Sequence, residues 1–300
     1  VRVLVYGDFV IDKYTRVSVT RQCPEAADAP VCDIGETIFQ RLGCAGNTLQ
    51  NVVAIAKDSG DPVDIWYGGI SGFHPPFTTL KLCTSSNLMK IDANYIIKER
   101  LVTQDDEIVC RLDNRRTFSV SAPLITPCPE FDLVIISDYG FGAVTAEVAA
   151  KLLAIGKISI VDSKREDLTI FRGATVFKLN EHEYSRQVAR MATTDDRCVE
   201  ALCHYCIVSL GDRGCVVKHF EGQGKSYRID SAHHRSFPAD AEVDVTGCGD
   251  TFTAALGLRL CEVPEIHSAA RYANYLASRV VSHMGPAVPS ETELKTAKGI

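Results

Sequence analysis

Several things are missing from this 300-residue chain, and each absence excludes a class of protein. Basic residues are not in surplus: 32 Lys and Arg against 38 Asp and Glu leave a formal net charge of −6, without the basic stripe of a dedicated nucleic-acid binder. No apolar run reaches the length of a membrane span, and the opening VRVLVYGD reads as a strand rather than a signal peptide. A cytoplasmic location is therefore expected, with neither nucleic acid nor membrane as a partner. Val1 stands where an initiating Met would be, which suggests processing or trimming. The Gly-Lys-Ser/Thr loop of P-loop nucleotide-binding proteins does not occur. Neither does an internal repeat or a low-complexity tract.

Cysteines are plentiful, 12 in all, but they lack the regular spacing of a disulfide scaffold. Cys44, Cys110, Cys215 and Cys261 lie in apolar or strand-like stretches and read as free buried thiols of a reducing compartment. In CVEALCHYC, the spacing of Cys198, Cys203 and Cys206 suits a metal, yet Cys206 leads into strand-like CIVSL and no fourth ligand is spaced to match.

Apolar residues make up 46 % of the chain and charged residues 23 %, enough for one large α/β domain over residues 1–300 with a smaller appended element. Strand-like runs occur at the N-terminus, ending in Gly7-Asp8, and at Val63 to Gly69, Phe131 to Asp138, Lys157 to Lys164, Ala174 to Asn180 and Cys206 to Gly211. Helix-like patterns fall at Asn47 to Lys57, Thr145 to Ala154 and Thr251 to Leu260, with a poorly defined stretch from Glu181 to Leu202. The alternation implies a mostly parallel sheet covered on both faces. Two segments break it, about 11–40 and about 88–122, where short extended pieces such as YIIKERLV and EIVCRLDN predict a small antiparallel lid. GFHPPFTTLKLCTSSN reads as loop.

AEVDVTGCGDTFTAAL carries the chemistry. A helix start presents unpaired N–H groups and the positive end of the helix dipole, and bare glycines let an anion approach. The amides of Gly247, Cys248 and Gly249 form such a cradle. Asp250 beside it would repel an anion unless it has a task there, such as taking a proton from an alcohol that attacks phosphorus. The alternative is an ordinary first-turn acid behind an ordinary turn.

DVTGCGDTF and the order of elements resemble the ribokinase-like (PfkB) carbohydrate kinases, with their D-T-x-G-A-G-D signature. The resemblance covers nearly the whole chain and implies a three-layer ribokinase-like fold. It also implies ATP and Mg²⁺ as cofactors, a monovalent cation as a further one, and Asp250 as catalytic base. GDFVIDKY maps Asp8 and Asp12 onto sugar-binding aspartates. GCAGNTLQN maps Gly43, Gly46, Asn47 and Asn51 onto the G-G-A-x-N signature. LNEHE places Asn180 and Glu183 near Mg²⁺ and phosphates, with Glu183 the metal ligand. VSLGDRG brings Ser209, Gly211 and Gly214 close to ATP, and RYANYLAS places Asn274 at the adenine pocket.

Within the family, CPEAADAPV, EIVCRLDNR, SDYGFGAVT and VDSKREDLTIFRGATVFKLNEHE are similar to the D-glycero-β-D-manno-heptose 7-phosphate kinases. Lys164 maps onto the D-P-K lysine, and Arg111 and Asp113 onto a lid strand. The chain stops after the Asn274 helix, so the resemblance is to a kinase half without an adenylyltransferase. Three departures bear on the substrate: Cys44 replaces a glycine, Cys248 an alanine and Phe141 a lysine. The expected activity is ATP-dependent phosphorylation of a sugar or sugar phosphate by a homodimer paired through its lid. The alternatives are a catalytically weak sugar- or nucleotide-binding relative and a nucleoside kinase.

Overall fold

A computed structural model of the chain describes residues 1–60, 62–71, 87–91, 96–114, 129–191, 198–223, 226–239 and 244–300. The predicted loop from Gly72, and parts of the 88–122 segment, lie outside these residues.

The central sheet follows from a few apolar runs. Strand β1 (Arg2–Cys23) starts between β3 (Asp64–Ser71) and β7 (Phe131–Asp138), parallel to both. β8 (Gly156–Ser163), β9 (Ala174–Asn180) and β10 (Cys203–Ser209) continue the parallel array. β11 (Cys215–Gln223) and β12 (Ser226–His234) close one edge in antiparallel fashion, and β4 (Asn87–Ile91) closes the other. Successive side chains on a strand point to opposite faces. Val3, Val5, Leu133 and Ile135 therefore enter one core cluster, and Leu4, Tyr6, Val134 and Ile136 the other.

Helices cover both faces. α1 (Ala45–Ser59), α4 (Cys248–Glu262) and α5 (Ile266–Val280) pack on the first, and α6 (Glu291–Ala297) joins them. α2 (Ala146–Ile155) lies on the second face, and α3 (Glu181–Met191) contributes Met191 to its core. Several of these starts are written locally: Thr145 accepts the Val148 N–H, Glu265 the N–H groups of His267 and Ser268, and Ser290 the Glu293 N–H. α4 is buried on all sides, so its register is held by side chains such as Phe252 and Leu256, each worth roughly 1.5–3 kcal/mol on burial.

The opening strand does not end at Asp8, as its sequence suggests. β1 runs on to Cys23 because it changes partners, pairing antiparallel with β2 (Ala26–Cys44) and parallel with β5 (Ile97–Val102). β5 pairs in turn with β6 (Ile108–Asp113). The lid segments are thus extensions of the main sheet. The stretch after Asn180 resolves into α3 and a short 3₁₀ turn at Val199–Leu202. Cys110 is exposed on β6 and Cys261 only partly buried, so the expectation of uniformly buried thiols is corrected at both; every described cysteine is free.

Candidate active site

α4 begins beside the C-terminal ends of the parallel strands, where ligands of open α/β sheets collect. Asp244 shapes the approach by accepting the N–H groups of Thr246 (2.8 Å) and Gly285 (2.9 Å) and the Tyr14 hydroxyl (2.5 Å). Burial raises its pKa, but the Thr246 and Tyr14 hydrogen bonds outweigh this and hold it below the usual carboxylate range. Gly247 then turns the chain with φ 88°, and a Cβ there would stand 2.5 Å from Asn47 Nδ2, so both conformation and space demand glycine. The Cys248 N–H is turned back to the Val245 carbonyl at 3.3 Å. Among the described residues the Gly249 and Asp250 N–H groups make no hydrogen bond and stand at the positive end of α4. Of the three N–H groups in the predicted cradle, that of Cys248 is thus already engaged. Burial pushes the Cys248 thiol up to about 12, so this departure adds no charge.

Asp250 is only 5 % exposed. Its Oδ2 accepts Asn47 Nδ2 at 3.0 Å, and its Oδ1 accepts the hydroxyls of Tyr139 (3.1 Å) and Thr48 (3.4 Å). Burial pushes its pKa up to about 6; the Asn47 hydrogen bond opposes this, Asp162 adds to it, and Lys178 and Lys164 pull it back. The result is a carboxylate basic enough to take a proton and still ionised at neutral pH.

A buried ionic chain runs beside Gly249. A Cβ on that residue would stand 2.6 Å from Lys178 Nζ, so the missing side chain brings backbone and ammonium together. Asp162 pairs with Lys178 and Lys164, both at 2.9 Å, and Lys164 reaches Glu183 at 2.8 Å. Burial alone would raise the pKa of Asp162, but the two ammonium groups hold it well below the carboxylate range. Burial would likewise lower Lys164, and its two carboxylate partners raise it instead. Asn180 and Glu183 cap α3 reciprocally, each accepting the other's N–H at 2.8 Å.

Next to this chain lies a cleft of about 800 Å³ whose walls include Ser209, Gly211, Gly214, Cys248, Gly249 and Asn274. Lys178 reaches it too. Asn274 is held by hydrogen bonds to the His234 carbonyl (3.2 Å) and Cys215 Sγ (3.4 Å).

The residues expected on the sugar side make hydrogen bonds and ion pairs within the protein. Asp8 is fully buried, and its carboxylate accepts the N–H groups of Tyr139 (2.8 Å), Phe141 (3.1 Å) and Ala143 (3.1 Å), which organises that turn. Burial, then the Asp138 charge, push its pKa up to about 6 against those three donors. Asp12 is buried against Arg100 at 2.6 Å, and a Cβ on Gly43 would stand 1.8 Å from Asp12 Oδ2. Asn47 holds Asp250, and Asn51 donates to the Asn47 carbonyl at 2.9 Å. Arg111 pairs with Asp113 on β6, half-exposed, and no described contact joins it to Asp250.

Asn47, Gly247 and Asp250 thus converge, as do Lys164, Asn180 and Glu183, while Ser209, Gly211, Gly214 and Asn274 share one cleft that Asn180 and Glu183 do not line. Tyr139, Asp162 and Lys178 escaped sequence reasoning. Lys178 did leave a signal, as the one charge in the otherwise apolar ATVFKLN.

Comparison with known proteins agrees with this architecture. A family profile described as pfkB family carbohydrate kinase matches residues 106–293. The bifunctional protein HldE of Rhodospirillum rubrum is 29 % identical over 99 % of this chain, and that of Methylococcus capsulatus 31 % over 99 %. The chain spans 62–63 % of the length of these curated relatives. Among solved structures, an Arabidopsis thaliana ribokinase complexed with ribose and ATP aligns with TM-score 0.69 at 16 % identity, covering 99 % of this chain and 98 % of that one. A Burkholderia thailandensis nucleoside kinase in complex with inosine aligns with TM-score 0.68 at 18 % identity and the same coverage.

Proposed function

Because the chain belongs to the pfkB family of carbohydrate kinases, which transfer a phosphoryl group to an alcohol, we propose that it moves the γ-phosphoryl group of ATP to a sugar phosphate, with heptose 7-phosphate the first acceptor to try. The observation that carries this reading is Asp250: a buried carboxylate with raised basicity, one residue beyond a free N–H at a helix start and beside a nucleotide-sized cleft.

The acceptor oxygen attacks the γ-phosphorus, and a new O–P bond forms as the bond to the β–γ bridging oxygen breaks. The hydroxyl proton passes to Asp250, and ADP leaves. Charge on the moving phosphoryl group meets the N–H groups of Gly249 and Asp250 and the Lys178 ammonium. Ser209, Gly211, Gly214 and Asn274 hold the nucleotide. Mg²⁺ on the nucleotide supplies charge neutralisation at the phosphates. Glu183 would meet the cation through water, since its oxygens are already engaged by Lys164 and the Asn180 N–H.

The far part of β1 with β2, β5 and β6 acts as a lid that excludes water. Exposed Val19, Ile34, Ile108 and Leu112 all lie on β1, β2 and β6, and they support a homodimer formed there.

ADP release measured with heptose 7-phosphate, ribose, fructose and their phosphates tests the activity. Asp250→Asn is expected to lower kcat by about 10³-fold or more with nucleotide binding retained. No stimulation by any sugar or sugar phosphate, or an unimpaired variant, would overturn the reading.

A further inference from the structure

Lys98 of β5 lies in register with Asp12 of β1, and oppositely charged neighbours on paired strands ordinarily form an ion pair. Here they do not. Arg100, two residues on, takes Asp12 at 2.6 Å, and the adjacent Glu99 pairs with Lys13 at 2.8 Å. Lys98 Nζ instead lies 4.3 Å from the centroid of the Tyr139 ring, 5.8 Å from that of Phe141 and 3.0 Å from Cys44 Sγ. Burial raises the Cys44 thiol far above its usual range, with Asp250 and Asp12 reinforcing this against the pull of Lys98, so the sulfur is a neutral acceptor. Among the described residues no carboxylate lies within ion-pair distance of this partly buried ammonium.

Two π faces and a thiol fix the position of such a cation without neutralising it. Partly withdrawn from bulk water and without a carboxylate partner among the described residues, it is a standing attraction for an anion that enters from solvent. Tyr139 connects it to the chemistry, because the ring that carries Lys98 on its face donates its hydroxyl to Asp250 at 3.1 Å. A molecule that reaches both ends of this tyrosine must offer a hydroxyl to Asp250 and an anionic group to Lys98. Phe141, whose side chain removes a positive charge expected at that position, has the ammonium of Lys98 within reach of its ring.

We propose that Lys98 is the acceptor-side anion subsite and selects a phosphorylated sugar over its unphosphorylated counterpart. This assignment rests on the kinase reading, and two measurements separate their failures. In the first, ADP release is followed with ribose and ribose 5-phosphate, fructose and fructose 6-phosphate, and heptose and heptose 7-phosphate. The wild type should favour the phosphorylated member of the accepted pair, and Lys98→Met should shrink the ratio of kcat/KM values by about ten- to hundredfold, chiefly through KM. Lys98→Arg should restore part of the ratio. In the second, the same compounds are titrated calorimetrically into protein saturated with a non-hydrolysable ATP analogue. Preferential binding of a phosphorylated sugar that Lys98→Met abolishes, in a protein that releases no ADP, would overturn the kinase reading and leave the subsite standing. A preference untouched by Lys98→Met, or the absence of any preference in binding, overturns the subsite.

Discussion

Tyr139→Phe isolates one interaction at the proposed base. The substitution deletes a single hydroxyl that donates to Asp250 Oδ1 at 3.1 Å, while the ring that carries Lys98 and the Asn47 hydrogen bond at 3.0 Å both remain. A hydrogen bond donated to a carboxylate stabilises its charged form, so its loss raises the pKa. At about 1.5 kcal/mol for a bond to a charged group, the rise is about one unit. Asp250 would then titrate near 7 instead of about 6. Because the base acts ionised, the ionised fraction at pH 6.5 falls from about three quarters to about one quarter, a threefold loss of rate, while at pH 8.5 the loss is only a few per cent. The assay is kcat against pH from 5 to 9 at saturating nucleotide and acceptor. An acid limb that stays in place, or a loss of equal size at every pH, would refute the assignment of Asp250 as a base tuned by Tyr139.

Four further outcomes are expected. Asp250→Asn should raise Tm by a few degrees while it removes activity: the folded-state pKa of about 6 lies above the unfolded value, so stability falls as pH rises from about 4 to 6, a cost of up to about 3 kcal/mol at neutral pH that the neutral side chain avoids. Equal melting of the two proteins at pH 7 would contradict this. Gly247→Ala should cost about 1–2 kcal/mol in denaturant unfolding and most of the activity, because alanine meets both a left-handed backbone and Asn47 Nδ2 at 2.5 Å. Lys178→Met removes one of the two cations on buried Asp162, and a loss of about 3 kcal/mol is expected by the same measurement. Sedimentation should show Ile34→Glu, at a residue 75 % exposed on β2, as a monomer if the lid strands pair between subunits.

Much of the fold was legible because burial writes itself into the order of residues. FDLVIISD and ATVFKLN match β7 and β9 residue for residue, since strands buried on both faces need mostly apolar runs. The helix start at Gly247 was legible for a local reason: a left-handed turn into an apolar helix needs glycine at one defined place. The length of β1 was not, because a strand's extent depends on the partners it finds: β2 folds back on it as a hairpin, and β5 comes from a distant piece of chain.

The same division runs through the site. Order and spacing along the chain singled out Asp250 and its glycines, and the resemblance singled out Ser209, Gly211, Gly214 and Asn274, which the fold brings to one cleft. Tertiary structure alone decided what the carboxylates face. Asp8 is spent on three amides more than 130 residues away, Asp12 on Arg100, and Asp162 on Lys178 of the neighbouring β9 as well as on Lys164, two residues along its own chain. A carboxylate's role depends on the charges and donors within a few ångströms of it, and for Asp8, Asp12 and Asp250 those neighbours are brought by folding from distant parts of the chain.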